Sequence, residues 1–347
     1  MHSAIGRTSI RQANLWAAAC LLLLGASCTT QGEETVADAG QNTPDAADAA
    51  PDAPWPDGCL IDAVEVVDGT VNPTNPCQRC DSAASSSTWS SYDDGASCAE
   101  VKICNAGRCS SGCWIDSTFY PADTPNPVDA HQICLPAIVG SAWTDRVVIA
   151  ASDSPSDWQA QAAEICTGTN DEAVINAQLI SGTMVELAPG TFNCAGYLTP
   201  PSRTRLSGQG ETTVVNLVAA GVLVDADHVE FDHLRLAGTV GAGVPVAIFI
   251  SAQSQDRSDI RVHDVTAAVA GGDEFAVYAN AHDTPNRTVS KVSFVRCAAP
   301  SPDGFGFVIN GEGTTPRVQD LTFYQCSVDN AGVAATRTGP WVTGIGW

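Results

Sequence analysis

Gly182-Thr-Met-Val-Glu-Leu-Ala-Pro-Gly190-Thr-Phe192, followed by Thr204-Arg-Leu-Ser-Gly208-Gln-Gly210-Glu-Thr-Thr-Val-Val215, decides the fold. Two short runs of β-formers, Met184 to Leu187 and Thr213 to Leu217, flank Pro-Gly and Gly-x-Gly turn signals, with no hairpin dipeptide between them. Extended segments that follow one another without hairpins predict one winding sheet. Just upstream, Asn170-Asp-Glu-Ala-Val-Ile-Asn-Ala-Gln-Leu-Ile180 opens polar and carries apolar residues at 174, 175 and 179, the spacing of one helix face.

This order of helix, "GTMVELAPGTF" and "LSGQGETTVV" resembles the N-terminal cap and first coil of the pectate-lyase-like family, over residues Val147 to Leu217. The resemblance implies an all-β fold, a right-handed parallel β-helix with an N-terminal cap helix, and a carbohydrate setting. It does not select a reaction.

Downstream the chain repeats at about thirty residues, the period of a stacked solenoid coil. Val229-Glu-Phe-Asp-His-Leu234, Ile260-Arg-Val-His-Asp-Val265, Val292-Ser-Phe-Val-Arg-Cys297 and Leu321-Thr-Phe-Tyr-Gln-Cys326 share the pattern apolar-x-apolar-x-x-apolar. A second set, Val246 to Ile248, Phe275 to Val277 and Phe305 to Phe307, falls between them. Stacking brings equivalent side chains within about 4.8 Å of one another. The inward columns are then Val229/Ile260/Val292/Leu321, Phe231/Val262/Phe294/Phe323 and Leu234/Val265/Cys297/Cys326. The last column predicts a stack of small buried thiols, with a Cys297–Cys326 disulfide as the other reading.

The outward columns are Glu230/Arg261/Ser293/Thr322 and Asp232/His263/Val295/Tyr324. They set Glu230 beside Arg261 and Asp232 beside His263. Glu230, Asp232, Arg261, His263 and Tyr324 are therefore the candidate substrate-binding residues, because a long flat row of polar and aromatic groups suits an extended polymer. A solvated ladder of opposite charges is the alternative reading of the same face.

Before this domain the chain divides into three. Residues 1–28 carry Arg7 and Arg11, an apolar run from Leu15 to Leu24 and small residues at Gly25-Ala-Ser27, the pattern of an export signal too short to span a bilayer. Its Leu-Leu-Gly-Ala-Ser-Cys28 ending resembles a bacterial lipoprotein signal, which implies lipidation of Cys28; Gly25 departs from the usual leucine, and plain cleavage after Ser27 is the alternative. Residues 29–58 hold seven acidic side chains and no basic one in an Ala/Asp/Pro-rich background, predicting a self-repelling disordered tether.

Residues 59–146 form a cysteine-rich module, and 147–347 the β-helix domain. The module's cysteines, at 59, 77, 80, 98, 104, 109, 113 and 134, read as a disulfide framework after an export signal; zinc on Cys77-Gln-Arg-Cys80 is the rival. An internal repeat at an offset of 54 matches Cys59-Leu-Ile-Asp62 to Cys113-Trp-Ile-Asp116, Asn72-Pro73 to Asn126-Pro127, Cys80 to Cys134 and Trp89 to Trp143. Cys77 becomes His131 and Cys98 becomes Ser152. Their joint loss predicts the pairs 77–98, 59–80, 113–134 and 104–109. Cys166 and Cys194, flanking the cap helix and first strand, are further disulfide candidates.

A net charge of -23, from 16 basic and 39 acidic side chains, excludes nucleic acid as a partner, since neutralising phosphates needs a basic face. Two function classes remain. One is an exported surface protein, in contact with the membrane only through its lipid anchor, that binds polysaccharide or a cell-envelope component. The other is a polysaccharide lyase or glycoside hydrolase, for which no family motif selects a catalytic pair. No cofactor or metal ligand set is read from the sequence; calcium enters only if the chain is a lyase, to bridge an acidic protein and a uronate polymer. Gly208-Gln-Gly210 precedes a strand rather than the helix of a nucleotide loop. Asp303-Gly304 resembles a hydrolase turn without the paired aspartates that would complete it, and Asn286-Arg-Thr288 is a chance glycosylation match. The run Trp341 to Trp347 reads as the start of a further strand, which predicts continuation of the chain or self-association through that end.

Overall fold

The computed structural model describes residues 58–99, 101–240, 246–279, 287–300, 304–311, 317–329, 334–338 and 345–346. The expected signal segment with Cys28, the expected tether up to residue 57, Asn286, Asp303 and most of the Trp341 to Trp347 run lie outside them. All described residues belong to the second of the chain's two units, Pro54–Trp347. Among them no helix is long and apolar enough to cross a membrane.

The second unit is all-β, with parallel sheets and an N-terminal disulfide-bonded region. One sheet runs in chain order through Thr144–Ala150, Thr183–Leu187, Thr204–Ser207, Val229–Thr239, Arg257–Ala270, Val289–Val295, Val318–Tyr324 and Ile345–Gly346, every neighbouring pair parallel. A second parallel sheet joins Val222–Val224, Val246–Ser251, Asp273–Ala279, Phe305–Gly311 and Ala334–Thr338. From residue 222 onward the chain alternates between the two.

The x-x of the repeat has a backbone cause. His233, Asp264, Arg296 and Gln325 hold left-handed φ values of 51, 55, 51 and 54°, and His228, Asp259, Lys291 and Asp320 do the same at the strand starts. A left-handed residue costs about 1–2 kcal/mol for a side chain with a Cβ. Here it turns the strand so that Phe231 and Leu234, three apart rather than two, are both buried.

The core lies between the sheets. Phe294 stacks on Phe323 with centroids 5.2 Å apart, Phe275 on Phe307 at 4.9 Å, and Phe275 meets Phe294 edge-on at 5.6 Å. Aromatic rings are thus stacked along each sheet and tilted across the gap, the two geometries their quadrupoles favour. The helix Glu172–Gln178 buries Ile175, and Leu179 just beyond it, in the same core.

The module shows its repeat as repeated contacts. Asn72 donates to Gln78 at 2.9 Å and Asn126 to Gln132 at 2.8 Å. Cys59, Ile61 and Cys80 pack with Val66 and Trp89; Cys113, Ile115 and Cys134 pack with Tyr120 and Trp143. Cores this small need covalent help. The bridges are Cys59–Cys80, Cys77–Cys104, Cys98–Cys109 and Cys113–Cys134.

The expected pairs 77–98 and 104–109 are therefore incorrect. Cys104 and Cys109 do face each other across the hairpin of Lys102–Asn105 and Arg108–Ile115, yet each sulfur bonds to another strand. Joint loss misled because four cysteines, not two, lack counterparts 54 residues on: Trp158 and Ala163 stand where partners of Cys104 and Cys109 would be. Losing two linked bridges together leaves their pairing undecided.

Cys166 and Cys194 are also not bridged; both are free and buried in the main core. Burial, with Asp171 and Glu164 nearby, pushes the Cys166 thiol up to about 12, and burial with Glu172 and Asp171 pushes Cys194 higher still. Neither presents the thiolate that disulfide exchange requires. Cys297 and Cys326 are free thiols as well.

Candidate functional site

Register builds the outward face of the long sheet from two columns. One runs Arg146, Met184, Arg205, Glu230, Arg261, Ser293, Thr322; the other Val148, Glu186, Ser207, Asp232, His263, Val295, Tyr324. One residue beyond the second column, the left-handed corners add His233, Asp264 and Arg296.

Asp232 is the centre, a carboxylate with no solvent exposure. It accepts from Arg205 Nε at 2.5 Å, from Ser207 Oγ and from His233 Nδ1 at 2.9 Å. Burial alone raises the Asp232 pKa, but hydrogen bonds from His233, Arg205 and Ser207 and the Arg205 charge outweigh it and hold the group below the ordinary carboxylate range. Arg205 in turn reaches Glu230 at 3.5 Å and ion-pairs with Asp123 of the module. Burial opposes its charge, and Asp232, Glu230 and Asp123 together overcome that and keep it protonated.

His263 bridges two more carboxylates, with Nε2 3.0 Å from Glu230 and Nδ1 3.0 Å from Asp264. Burial pushes its pKa down; the hydrogen bonds to Glu230 and Asp264 push harder, and the net direction is up. His233, half exposed, is raised chiefly by its hydrogen bond to Asp232. Asp264 is gripped at both oxygens by Arg296 at 2.6 Å, and its pKa falls well below the usual range.

The structure thus brings together Glu230, Asp232 and His263 of the five sequence candidates. The other two stand apart. Glu230 pairs diagonally with His263 and directly with Arg205, its register partner on the preceding strand, and among the described residues it forms no ion pair with Arg261, contrary to expectation. Arg261 lines a second cavity of about 370 Å³ with Arg203 and His228, into which Glu230 also faces. Tyr324 lies two strands beyond His263 and is 55% exposed. Missed from the sequence were Arg205, Ser207, His233, Asp264 and Arg296. Arg205 and Ser207 extend the predicted columns upstream, a signal present in the quoted stretch. The corner residues gave no signal until their left-handed backbone was known.

Beside this network is a cavity of about 460 Å³. The module supplies Asp123, Pro125 and Gln132; the sheet supplies Arg146, Glu186, Arg205, Ser207, Gln209 and His233. Glu186 accepts from Arg146 and from Gln209 Nε2 at 2.7 Å. The module is seated there by the antiparallel pairing of Gln132–Ile133 with Thr144–Asp145 and by packing of Ile133, Leu135 and Ile138 against Met184.

Chemically the inner part of the network, around Asp232, is saturated. A general acid must hold a transferable proton near the working pH. Asp232 and Asp264 are instead held as carboxylates, and both ring nitrogens of His263 face acceptors. Comparison with protein-family models, curated proteins and solved structures finds no match for this chain.

Proposed function

We propose that the chain is an exported surface protein, tethered through lipid on Cys28, whose right-handed parallel β-helix binds a polysaccharide or related envelope glycan. The observation that carries this reading is the polar cavity of about 460 Å³ between module and sheet. Its volume lies in the range of small-ligand sites. Its walls alternate donors (Arg146, Arg205, Gln209) with acceptors (Asp123, Glu186), which suits the hydroxyl groups of a sugar. With a net charge of -23 the protein repels polyanions, so neutral chains are favoured over uronates unless calcium bridges them. The two alternating parallel sheets and the period of about thirty residues support the β-helix. The acidic segment 29–58 supports a tether between anchor and folded unit.

Binding is tested by titrating the mature protein with a panel of neutral and uronate oligosaccharides, with and without calcium. Gln209→Ala and Glu186→Gln should each weaken the selected glycan about tenfold, the loss of one or two hydrogen bonds, with the melting temperature unchanged. Release of unsaturated products or new reducing ends would replace binding by catalysis. Loss of fatty-acid labelling in Cys28→Ala tests the anchor.

A further inference from the structure

We infer that His233, His263 and Asp264 form a binding site for one divalent transition-metal ion of the zinc class, at the outer edge of the Asp232 network. Three observations converge on it, and none depends on the glycan reading.

The first is geometric. His263 Nδ1 is 3.0 Å from Asp264 Oδ2 and His233 Nε2 is 3.9 Å from the same oxygen; one ligand atom from each residue falls within 4.8 Å of the others. Ligands bonded to one tetrahedral zinc at about 2.0–2.1 Å stand roughly 3.3 Å apart. Small side-chain rotations therefore suffice to place all three on a common ion. The backbone already sets them side by side: His233 and Asp264 occupy equivalent left-handed corners of neighbouring strands, and His263 precedes Asp264 in the same strand.

The second is the state of the remaining ring nitrogens. His233 Nδ1 is held by Asp232 at 2.9 Å, and His263 Nε2 by Glu230 at 3.0 Å. Each imidazole thus has a carboxylate behind it that fixes its tautomer and orientation, with the opposite nitrogen aimed at Asp264. Metal-ligating histidines almost always carry such a partner on the nitrogen that does not bind metal. An ordinary charge ladder requires no such arrangement. Arg205, 2.5 Å from Asp232 and 3.5 Å from Glu230, neutralises both supporting carboxylates from behind.

The third is selective. Glu230, Asp232 and His263 also lie within ligand distance of one another, but Arg205 occupies that group, and Asp232 is saturated by Arg205, Ser207 and His233. Among the described residues the cation competing for the outer group is Arg296 on Asp264, and its side chain is half exposed. An arriving dication displaces that guanidinium into solvent. Two imidazoles and one carboxylate suit zinc, nickel, copper or cobalt; calcium and magnesium take oxygen ligands. With His233 half exposed, a fourth position opens to water or to a ligand in the neighbouring cavity.

The test uses the full mature chain, freed of metal with a chelator and titrated with zinc, cobalt and calcium by calorimetry, metal content being read by emission spectroscopy. Expected are one equivalent of zinc, a tetrahedral cobalt absorption, and no calcium at the same site. His233→Ala and Asp264→Asn should lower zinc affinity by about tenfold or more while circular dichroism stays unchanged, and Asp232→Asn should lower it about 10- to 100-fold through loss of the supporting carboxylate. Arg296→Ala should raise it. Absence of zinc uptake, equal uptake by His233→Ala and Asp264→Asn, or calcium displacing zinc would overturn the assignment.

Discussion

Cys326 sits one parallel strand beyond Cys297 on the inward column, and each thiol donates to a carbonyl of the strand before it: Cys297 to Val262 at 3.3 Å, Cys326 to Phe294 at 3.4 Å. The two thiols are not equivalent. Contact with Cys297 lowers the Cys326 pKa against the opposing effect of burial, while contact with Cys326 and burial push Cys297 up. Alkylation should therefore select Cys326, with a rate that rises with pH to a midpoint below that of an ordinary thiol. In Cys297→Ala the midpoint should return toward the ordinary thiol range, about 8.5. Mass spectrometry of peptides after timed labelling decides; equal labelling of both cysteines, or an unmoved midpoint, would contradict the hydrogen bond.

Non-reducing peptide mapping should recover Cys77 linked to Cys104 and Cys98 linked to Cys109. Removing the first bridge as Cys77→Ala/Cys104→Ala should destabilise the module by about 2–4 kcal/mol, the scale of a native loop closure. A Cys77–Cys98 peptide would show that the hairpin is threaded differently.

Asp232→Ala leaves Arg205 without its fully buried counter-ion, and should destabilise the protein by about 3–5 kcal/mol in denaturant unfolding. Arg205→Met/Asp232→Leu, which removes both charges, should cost clearly less. If the double variant is as damaged as the single one, packing rather than charge holds this site together.

Gln325 is exposed and carries a left-handed φ of 54°. Gln325→Gly should keep or slightly raise stability, whereas Gln325→Val should lose about 1–2 kcal/mol, because a branched Cβ crowds the backbone in that conformation. Identical melting of the two variants would mean that the corner is not left-handed in solution.

The parts of this protein that were legible in its sequence are those governed by local period. Phe231, Phe294 and Phe323 recur at one position of a repeat, and alternation alone sends them inward and Glu230, Asp232 and His263 outward. The 54-residue repeat likewise carries its contacts with it, since Asn72–Gln78 and Asn126–Gln132 are short-range bonds. Tertiary structure decided which charges meet. Asp123 and Arg205 lie 82 residues apart and touch only because the module is seated on the sheet. His233 and Asp264 join the site because a left-handed residue, which no side-chain pattern announces, rotates each of them beside the outward column. The disulfide pairing was hidden for the same reason: four cysteines without repeat counterparts satisfy any pairing on paper, and only the packing of two separate antiparallel sheets, one carrying Cys77 and the other Cys104, brings those two together.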